Sequence, residues 1–188
     1  HSIKVYLYGS SGGASKSTSS STSYDTYVYT GSYIDCEYIG GSASNDLAVI
    51  RAETSDVNSV NSDACKVELA DEYHIGETAI AIGNAEGEGI SVTQGIVSVD
   101  SESVSLDIDK QRSYREMRID TAIYHGNSGG GLFNSDGKLI GITNAGDETD
   151  QNINYAIPLN VVKGMVENIM YYCKDSSSTT GSKILLGI

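Results

Sequence analysis

The chain has 188 residues, of which 39% are hydrophobic and 21 are glycine, a size and composition sufficient for a globular core. Its formal net charge of −13 argues against nucleic acid as a partner, because binding to a phosphate backbone requires clustered Lys and Arg. No apolar run approaches the roughly 18 residues of a membrane-spanning helix, so we expect no segment of this sequence to cross a membrane.

The first part of the chain predicts short strands separated by polar stretches. Ile3 to Tyr8 alternates and is rich in β-branched and aromatic residues, which predicts a strand. Ser10 to Ser23 is a low-complexity Ser/Gly/Thr segment, for which we expect a mobile surface loop. Further strands are predicted at Tyr27 to Ile39 and, after the polar turn GGSASN, at Asp46 to Arg51. Thr54 to Ala64 is polar and lacks periodicity, and we interpret it as the link between two lobes.

The second half predicts a β-barrel or sandwich followed by one helix. Short strands recur at regular spacing between Gly, Asn and Asp turns, at Thr78–Ile82, Ile90–Val99, Ser103–Ile108, Glu116–Ile119, Gly131–Phe133, Leu139–Thr143 and Ile153–Ile157. Pro158 suits a first helical turn. Apolar residues then recur with helical period before Cys173, at Val161, Val162, Met165, Val166 and Ile169. Lys174 to Ser182 predicts a Ser/Thr linker, and a new apolar run begins at Ile184.

The three cysteines, Cys36, Cys65 and Cys173, show neither the CxxC spacing of a metal site nor the density of a disulfide scaffold. We interpret them as structural or incidental. Their odd number leaves at least one thiol unpaired within a monomer, and the pairing of Cys36 with Cys65 stays open at this stage.

The sequence GNSGG at residues 126–130 is the strongest chemical signal. A nucleophilic serine needs its hydroxyl on a tight turn and backbone N–H groups aimed at the developing oxyanion. Ser128 is the candidate nucleophile, and Gly126, Asn127 and Ser128 form the candidate oxyanion hole, with the N–H groups of Gly126 and Ser128 as its two donors. The alternative is a glycine-rich hairpin turn with an ordinary serine. The position of the motif between strands favours the nucleophile.

The stretch DTAIYHGNSGGGLFNSDGKLIGI, followed by INYAIPLNVV, resembles the core signature of the HtrA (DegP-like) serine proteases. SNDLAVIR resembles the motif around that family's catalytic aspartate, and HIGETAIAIGNAEG with VTQGIVS resembles the start of its second barrel. The resemblance implies an all-β, chymotrypsin-like double barrel, with the first barrel incomplete, and a C-terminal helix. We expect the partial first barrel at residues 1–60, the second barrel and helix at 61–173, and a linker with the start of a PDZ domain at 174–188.

On this resemblance Asp46 is the catalytic acid, buried between the lobes, where it would hold a histidine in the correct tautomer. Taken alone, Asp46 is better explained as a cap of the turn before a strand, and the serine motif downstream reverses that preference. The substrate pocket is predicted to carry no charge, which favours cleavage after small or medium aliphatic residues. Its expected lining is Ala122, Ile123, Thr143, Asn144 and Ala145.

None of the three histidines fits the position of the catalytic base. The base precedes the aspartate in the chymotrypsin class, which leaves only His1, and His1 lies too close to the first strand. We expect His125, on the serine loop itself, to point away from the hydroxyl, and His74 to be an exposed surface residue. The base is therefore expected upstream, and the chain alone is expected to be nearly inactive, since loss of the base costs about a millionfold in turnover.

The resemblance further implies an endopeptidase that hydrolyses unfolded or misfolded proteins through an acyl-enzyme, with no metal or organic cofactor. It implies a homotrimer that acts in protein quality control at a bacterial cell envelope or exterior, with membrane tethering only through upstream sequence. Two alternatives remain. A catalytically dead, protease-like scaffold that binds a peptide or partner would explain the missing base, and a carbohydrate- or ligand-binding sandwich would leave GNSGG unexplained.

Overall fold

The computed structural model describes residues 3–7, 14–17, 26–29, 31–84, 89–105, 113–146, 150 and 152–173. These residues form eleven strands and two helices. The elements are β1 (Ile3–Val5), β2 (Ala14–Ser17), β3 (Thr26–Tyr29), β4 (Ile34–Ser42), β5 (Leu47–Arg51), α1 (Thr54–Val60), β6 (Thr78–Gly83), β7 (Ser91–Val104), β8 (Tyr114–Ile119), β9 (Gly131–Phe133), β10 (Leu139–Gly146), β11 (Asn154–Pro158) and α2 (Leu159–Cys173). His1, the predicted linker and the apolar run from Ile184 lie outside the described residues.

The strands of the first part form a three-stranded sheet and a separate ribbon. β4 is central in the sheet and pairs antiparallel with β1 and β5. β4 runs on through Gly40 and Gly41, which the sequence assigned to a turn, because a register shift between Tyr38 and Gly40 lets the glycines stay paired with β5. Cys36, on the covered side of β4, is buried, and Cys65 is exposed, so the two thiols are free and do not pair.

The predictions for residues 10–39 are wrong in two places. The stretch predicted as strand from Tyr27 to Ile39 is interrupted, and its two strands, β3 and β4, belong to different sheets. The polar segment expected to be a loop contains β2, which pairs with β3 over its full length. A segment with so few apolar residues cannot form a packed core. It can still form the hydrogen bonds of a β-strand when a partner strand is present, and the composition of the segment does not show whether such a partner exists.

Helix α1 lies where an unstructured link was predicted. It is seven residues long and has no buried residue, so it carries no apolar stripe from which a helical period could be recognised. Asp56 in its first turn interacts favourably with the positive end of the helix dipole. At its end, the Asn61 N–H donates to the Val57 carbonyl oxygen at 2.9 Å.

The second half forms a closed six-stranded barrel with the strand order β10-β11-β8-β7-β6-β9. β7 is continuous from Ser91 to Val104, where two strands were predicted, because irregularities between Val97 and Val99 and between Val99 and Glu102 absorb the break in alternation. The predicted strand residues 106–108 lie outside the described chain. The barrel interior is filled by enclosed apolar side chains, among them Ala79, Ala81, Val97, Met117, Ile119, Leu132, Ile140 and Ala156.

Helix α2 connects the barrel to the first sheet. It begins directly after Pro158, which is the last residue of β11 and not part of the first helical turn as predicted. Val162, Met165 and Ile169 are buried as the periodicity predicts, whereas Val166 is 36% exposed. The helix contacts β10 and β11 on one side and β4 and β5 on the other. Neither described helix combines the length and the apolar character that a membrane crossing requires.

Candidate active site

The candidate nucleophile lies on the loop between β8 and β9. Gly126, with φ 93°, and Gly129, with φ 83°, flank the Asn127-Ser128 pair, and side chains other than glycine are strained at such angles. The Asn127 N–H donates to the Tyr124 carbonyl oxygen at 3.0 Å, and the Gly130 N–H donates to the Asn127 carbonyl oxygen at 2.9 Å. Two successive tight turns therefore present Ser128 at the surface of the molecule.

Strand β10 holds this loop through Thr143. The Gly129 N–H donates to the Thr143 carbonyl oxygen at 2.7 Å, and the Thr143 N–H donates to the Gly130 carbonyl oxygen at 2.9 Å. The Thr143 hydroxyl also lies 2.5 Å from the Asn127 carbonyl oxygen and 3.1 Å from that of Gly130. Thr143, a predicted pocket residue, is 1% exposed, so its hydroxyl fixes the serine loop.

The N–H groups of the serine loop differ in whether they donate a hydrogen bond within the described part of the chain. In the part of the chain that the structure describes, those of Gly126 and Ser128 donate no hydrogen bond, while that of Asn127 closes the turn to Tyr124. The Asn127 side chain is buried and accepts a bond from the Ser91 hydroxyl at 3.3 Å. The N–H groups of Gly126 and Ser128, the two predicted oxyanion donors, are thus without an acceptor among the described residues, whereas that of Asn127 is used within the loop.

The Ser128 hydroxyl donates to the main-chain carbonyl oxygen of Asn144. Asn144 sits where the register of β10 against β11 shifts, between Thr143 and Ala145. Such a bulge turns a residue away from the direction it would have in a regular strand. The Asn144 side chain points to β8, where its Nδ2 donates to Oε1 of Glu116 at 2.8 Å.

Glu116 is a buried acid next to the candidate site, and sequence reasoning treated it only as a strand residue. It is 1% exposed. Its pKa is raised to about 7, chiefly by burial; the bond from Asn144 opposes this shift, and the negative charge of Asp46 adds to it. Its Oε2 is buried without a hydrogen-bond partner among the described residues. The one available signal was the period-two spacing of YREMRI, which places Glu116 on the same strand face as Tyr114.

Asp46, the candidate acid, occupies the turn between β4 and β5. Its φ of 49° is the only left-handed value of a described residue other than glycine, a conformation that Asp tolerates better than most residues. The turn is held by Asn45, whose N–H donates to the Ser42 carbonyl oxygen at 3.2 Å and whose Nδ2 contacts the Met165 sulfur at 3.5 Å. Asp46 is exposed and not buried as expected; its turn leads into β5, which is an edge strand of the three-stranded sheet.

The two described histidines are both exposed. His74 is 71% exposed, and its Nε2 lies 3.6 Å from a carboxylate oxygen of Glu72. His125 is exposed on the serine loop, and neither histidine forms a hydrogen bond with Ser128. Within the described ranges, no group of three or more His, Cys, Asp or Glu side chains is arranged to hold a metal ion.

The other predicted pocket residues lie around the same loop. Ala122 is half-buried, and its carbonyl oxygen accepts a bond from the Thr93 hydroxyl at 2.7 Å. Ile123 packs against the barrel core, and Asn144 is buried. Ala145 continues β10 opposite Tyr155, and its side chain is outside the described part of the chain.

Comparison with known proteins identifies similar chains. A family model described as a trypsin-like peptidase domain matches residues 11–142. The serine protease Do-like HtrA of Bacillus subtilis (strain 168) is 36% identical over 148 residues, covering 76% of this chain and 32% of that protein. The periplasmic serine endoprotease DegP of Escherichia coli (strain K12) is 35% identical over 145 residues, covering 76% of this chain and 29% of that protein.

Solved structures of serine proteases are also similar to this chain. The HtrA-type protease AlgW with a decapeptide matches with a TM-score of 0.61 and 28% identity, over 78% of this chain and 45% of that chain. A serine endoprotease from Yersinia pestis matches with a TM-score of 0.58 and 27% identity, over 77% and 48% respectively. These neighbours confirm the predicted fold class. The chain spans about a third of the length of the curated relatives that it matches.

Proposed function

The chain belongs to the trypsin-like peptidase family, with HtrA- and DegP-type serine proteases as its relatives, and from this premise we propose that it is the catalytic part of a serine endopeptidase. Ser128 is the nucleophile, Asp46 is the acid that orients the base, and a histidine upstream of residue 1 is the base. We also propose the division into a partial first barrel at 1–60, a second barrel with its helix at 61–173, and a linker leading to a PDZ domain at 174–188.

One observation carries this proposal. Ser128 is exposed on a loop whose own N–H groups, at Gly126 and at Ser128, have no acceptor among the described residues. An ordinary glycine-rich turn would use such groups to close itself, as the Asn127 N–H does. Each donor of this kind contributes about 2.7 to 4 kcal/mol when a negatively charged oxygen forms next to the nucleophile.

The reaction then follows from the geometry. The Ser128 oxygen attacks the carbonyl carbon of the scissile peptide bond while its proton passes to the histidine, and the carbonyl oxygen, now negative, is held by the two N–H groups. Collapse of this intermediate breaks the C–N bond, and the leaving amine takes the proton from the histidine. Water then attacks the carbonyl carbon of the acyl-enzyme while the histidine takes its proton. The C–O bond to Ser128 breaks as the histidine returns this proton to the serine oxygen. The carboxylate of Asp46, which is exposed, would hold this imidazole in the tautomer that accepts the serine proton.

Substrate preference and setting are proposed from the pocket and the relatives. The lining residues Ala122, Ile123 and Thr143 carry no charge, which supports cleavage after small or medium aliphatic residues of unfolded polypeptides. DegP of E. coli is named a periplasmic endoprotease, and on that basis we propose a cell-envelope or extracellular location. A homotrimer that acts in protein quality control is proposed from the family resemblance alone.

The full-length protein tests the proposal. Unfolded casein and a fluorophosphonate probe, which phosphonylates activated serines with loss of fluoride, should both react with the wild type and fail with Ser128→Ala. Asp46→Asn should lower kcat about 10⁴-fold, because the amide favours the wrong histidine tautomer. The matched control Asp56→Asn, on exposed α1, should retain full activity. Equal, absent cleavage by wild type and Ser128→Ala would refute the enzyme.

A second candidate is a catalytically dead scaffold that binds a peptide or partner without cleaving it. It is favoured by the two described histidines, neither of which forms a hydrogen bond with Ser128. This candidate predicts that an unfolded peptide binds wild type and Ser128→Ala with equal affinity while neither cleaves it. Ser128-dependent turnover would exclude it.

A further inference from the structure

We propose that Glu116 is a positioning residue of the active site, which acts through the Asn144 side chain to fix the β10 bulge and the carbonyl that receives the Ser128 hydroxyl. The inference rests on the proposed function, in which Ser128 is the nucleophile. It concerns a residue that neither touches the substrate nor belongs to the nucleophile, acid and base.

A continuous chain of hydrogen bonds carries this inference. The Ser128 hydroxyl donates to the Asn144 main-chain oxygen, and the Asn144 amide donates to Glu116 Oε1 at 2.8 Å. Asn144 itself lies at the register shift of β10, where the regular ladder with β11 does not determine its orientation. The bond to Glu116 is the side-chain contact that anchors it, and both partners are at most 3% exposed. The orientation of the Asn144 carbonyl therefore depends on an acceptor at residue 116.

The charges around Glu116 explain why its carboxyl is a costly choice for a purely structural bond. Asp46, on the turn of the first sheet, is a negative neighbour. On β7, Glu102 lies directly opposite Glu116 in register, and its carboxylate is 3.4 Å from Nε of Arg118 on β8. The described side chains of β10 carry no ionisable group, and on β11 the titratable residue is Tyr155. Arg118 is therefore engaged with Glu102, and Glu116 has no cationic partner among the described residues.

The protonation state of Glu116 should therefore alter the active site near neutrality. Burial and Asp46 hold its pKa near 7, so the carboxyl is largely neutral at pH 6 and largely ionised at pH 8. The ionised form is the stronger acceptor for the Asn144 amide, because a charged acceptor strengthens a hydrogen bond. It also adds a negative charge near Asp46, the residue that orients the imidazolium in the proposed function. Both effects favour the reaction as the pH rises through 7.

Three variants of the full-length protein test the role. Glu116→Leu removes the acceptor and should lower kcat about 10- to 100-fold for an aliphatic peptide substrate, with KM changed less than about twofold. Glu116→Gln keeps an acceptor oxygen and should restore kcat to within about threefold of the wild type at pH 6. The ratio of wild-type to Glu116→Gln kcat should rise between pH 6 and pH 8. Glu102→Gln, which removes the facing acid without touching Asn144, should show no such trend.

A double-mutant cycle separates positioning from a general loss of folding. Asn144→Ala should lower kcat as Glu116→Leu does, and the double variant should be no slower than the worse single variant, because both remove one interaction. Thermal unfolding of each variant shows whether it is folded at the assay temperature. If the two substitutions lowered kcat independently, so that their fold-losses multiplied in the double variant, the inference would be overturned. A Glu116→Leu variant with wild-type kcat would also overturn it.

Amide hydrogen exchange supplies a readout that does not depend on turnover. The Gly129 and Thr143 N–H groups, which join the serine loop to β10, should exchange about tenfold faster in Glu116→Leu and at the wild-type rate in Glu116→Gln. If the wild type shows no Ser128-dependent cleavage, the proposed function fails. In that case, faster amide exchange in Glu116→Leu would still show that Glu116 positions the serine loop. Unchanged exchange would overturn the inference as well.

Discussion

At the scale of single residues, Glu116 makes the stability of the fold depend on pH. The folded state keeps a proton up to about pH 7 that the unfolded state releases near 4.5, so the free energy of unfolding falls as the pH rises between these values. The shift corresponds to about 3 kcal/mol. Glu116→Gln should therefore gain stability relative to the wild type between pH 5 and pH 8, as measured by urea unfolding. Glu68→Gln, at an exposed position, should show a constant difference, and an equally constant difference for Glu116→Gln would contradict the assignment.

The Thr143 hydroxyl makes a second prediction at this scale. Thr143→Val keeps the shape of the side chain but removes the donor that meets the Asn127 and Gly130 carbonyl oxygens. The loss should cost about 1 to 3 kcal/mol in the free energy of unfolding, because a buried acceptor loses a partner. It should also slow the reaction of Ser128 with a fluorophosphonate probe. Thr78→Val on β6 serves as the control and should do neither, because the Thr78 side chain has no hydrogen bond among the described residues.

Some residues of the candidate site could be predicted from the sequence, and others could not. The serine loop could be predicted because glycines on both sides of Ser128 are a local signal, and the angles at Gly126 and Gly129 require them. Glu116 could not be predicted, because its role depends on Asn144. That contact exists only through a bulge in β10 and the closure of the barrel, and neither leaves a mark in the sequence.

At the scale of elements, the spacing of apolar residues predicted the strands and helices that bury only one face. The strand at Gly131–Phe133 and the buried face of α2 follow from period-two and helical apolar spacing. Helix α1 and strand β2 were missed because neither presents an apolar face that a pattern could detect. The length of β7 was underestimated for a related reason, since bulges interrupt alternation without ending the strand.

Helix α2 permits a direct test of one-sided burial. Ile169 is 1% exposed, so Ile169→Ala should lower the free energy of unfolding by about 2 to 5 kcal/mol through lost contacts and a cavity. Val166→Ala, on the exposed side of the same helix, should cost less than about 1 kcal/mol. Urea unfolding of both variants measures the difference. Equal losses would show that α2 is not packed between the barrel and the first sheet as described.

At the scale of the whole molecule, the helix and the serine loop depend on the same arrangement of two β units. α2 contacts β4 and β5 as well as β10 and β11, and its Met165 touches the turn that carries Asp46. Ser128 lies on the barrel and Asp46 on the first sheet, so their relative position is determined by this packing. The family resemblance predicted the pairing of these two residues, whereas local patterns could predict only the elements on which they lie.

The net charge of −13 is a property of the whole chain and should affect which unfolded substrates reach Ser128. An acidic surface attracts cationic polypeptides over a screening length of about 30 Å at 0.01 M salt and about 10 Å at 0.1 M. An aliphatic peptide flanked by lysines should therefore show a kcat/KM that falls about tenfold between these salt concentrations, since steering acts on association. The same peptide with glutamines in place of the lysines should change less than about twofold. Parallel salt dependence of the two peptides would show that the acidic surface serves solubility alone and has no part in substrate capture.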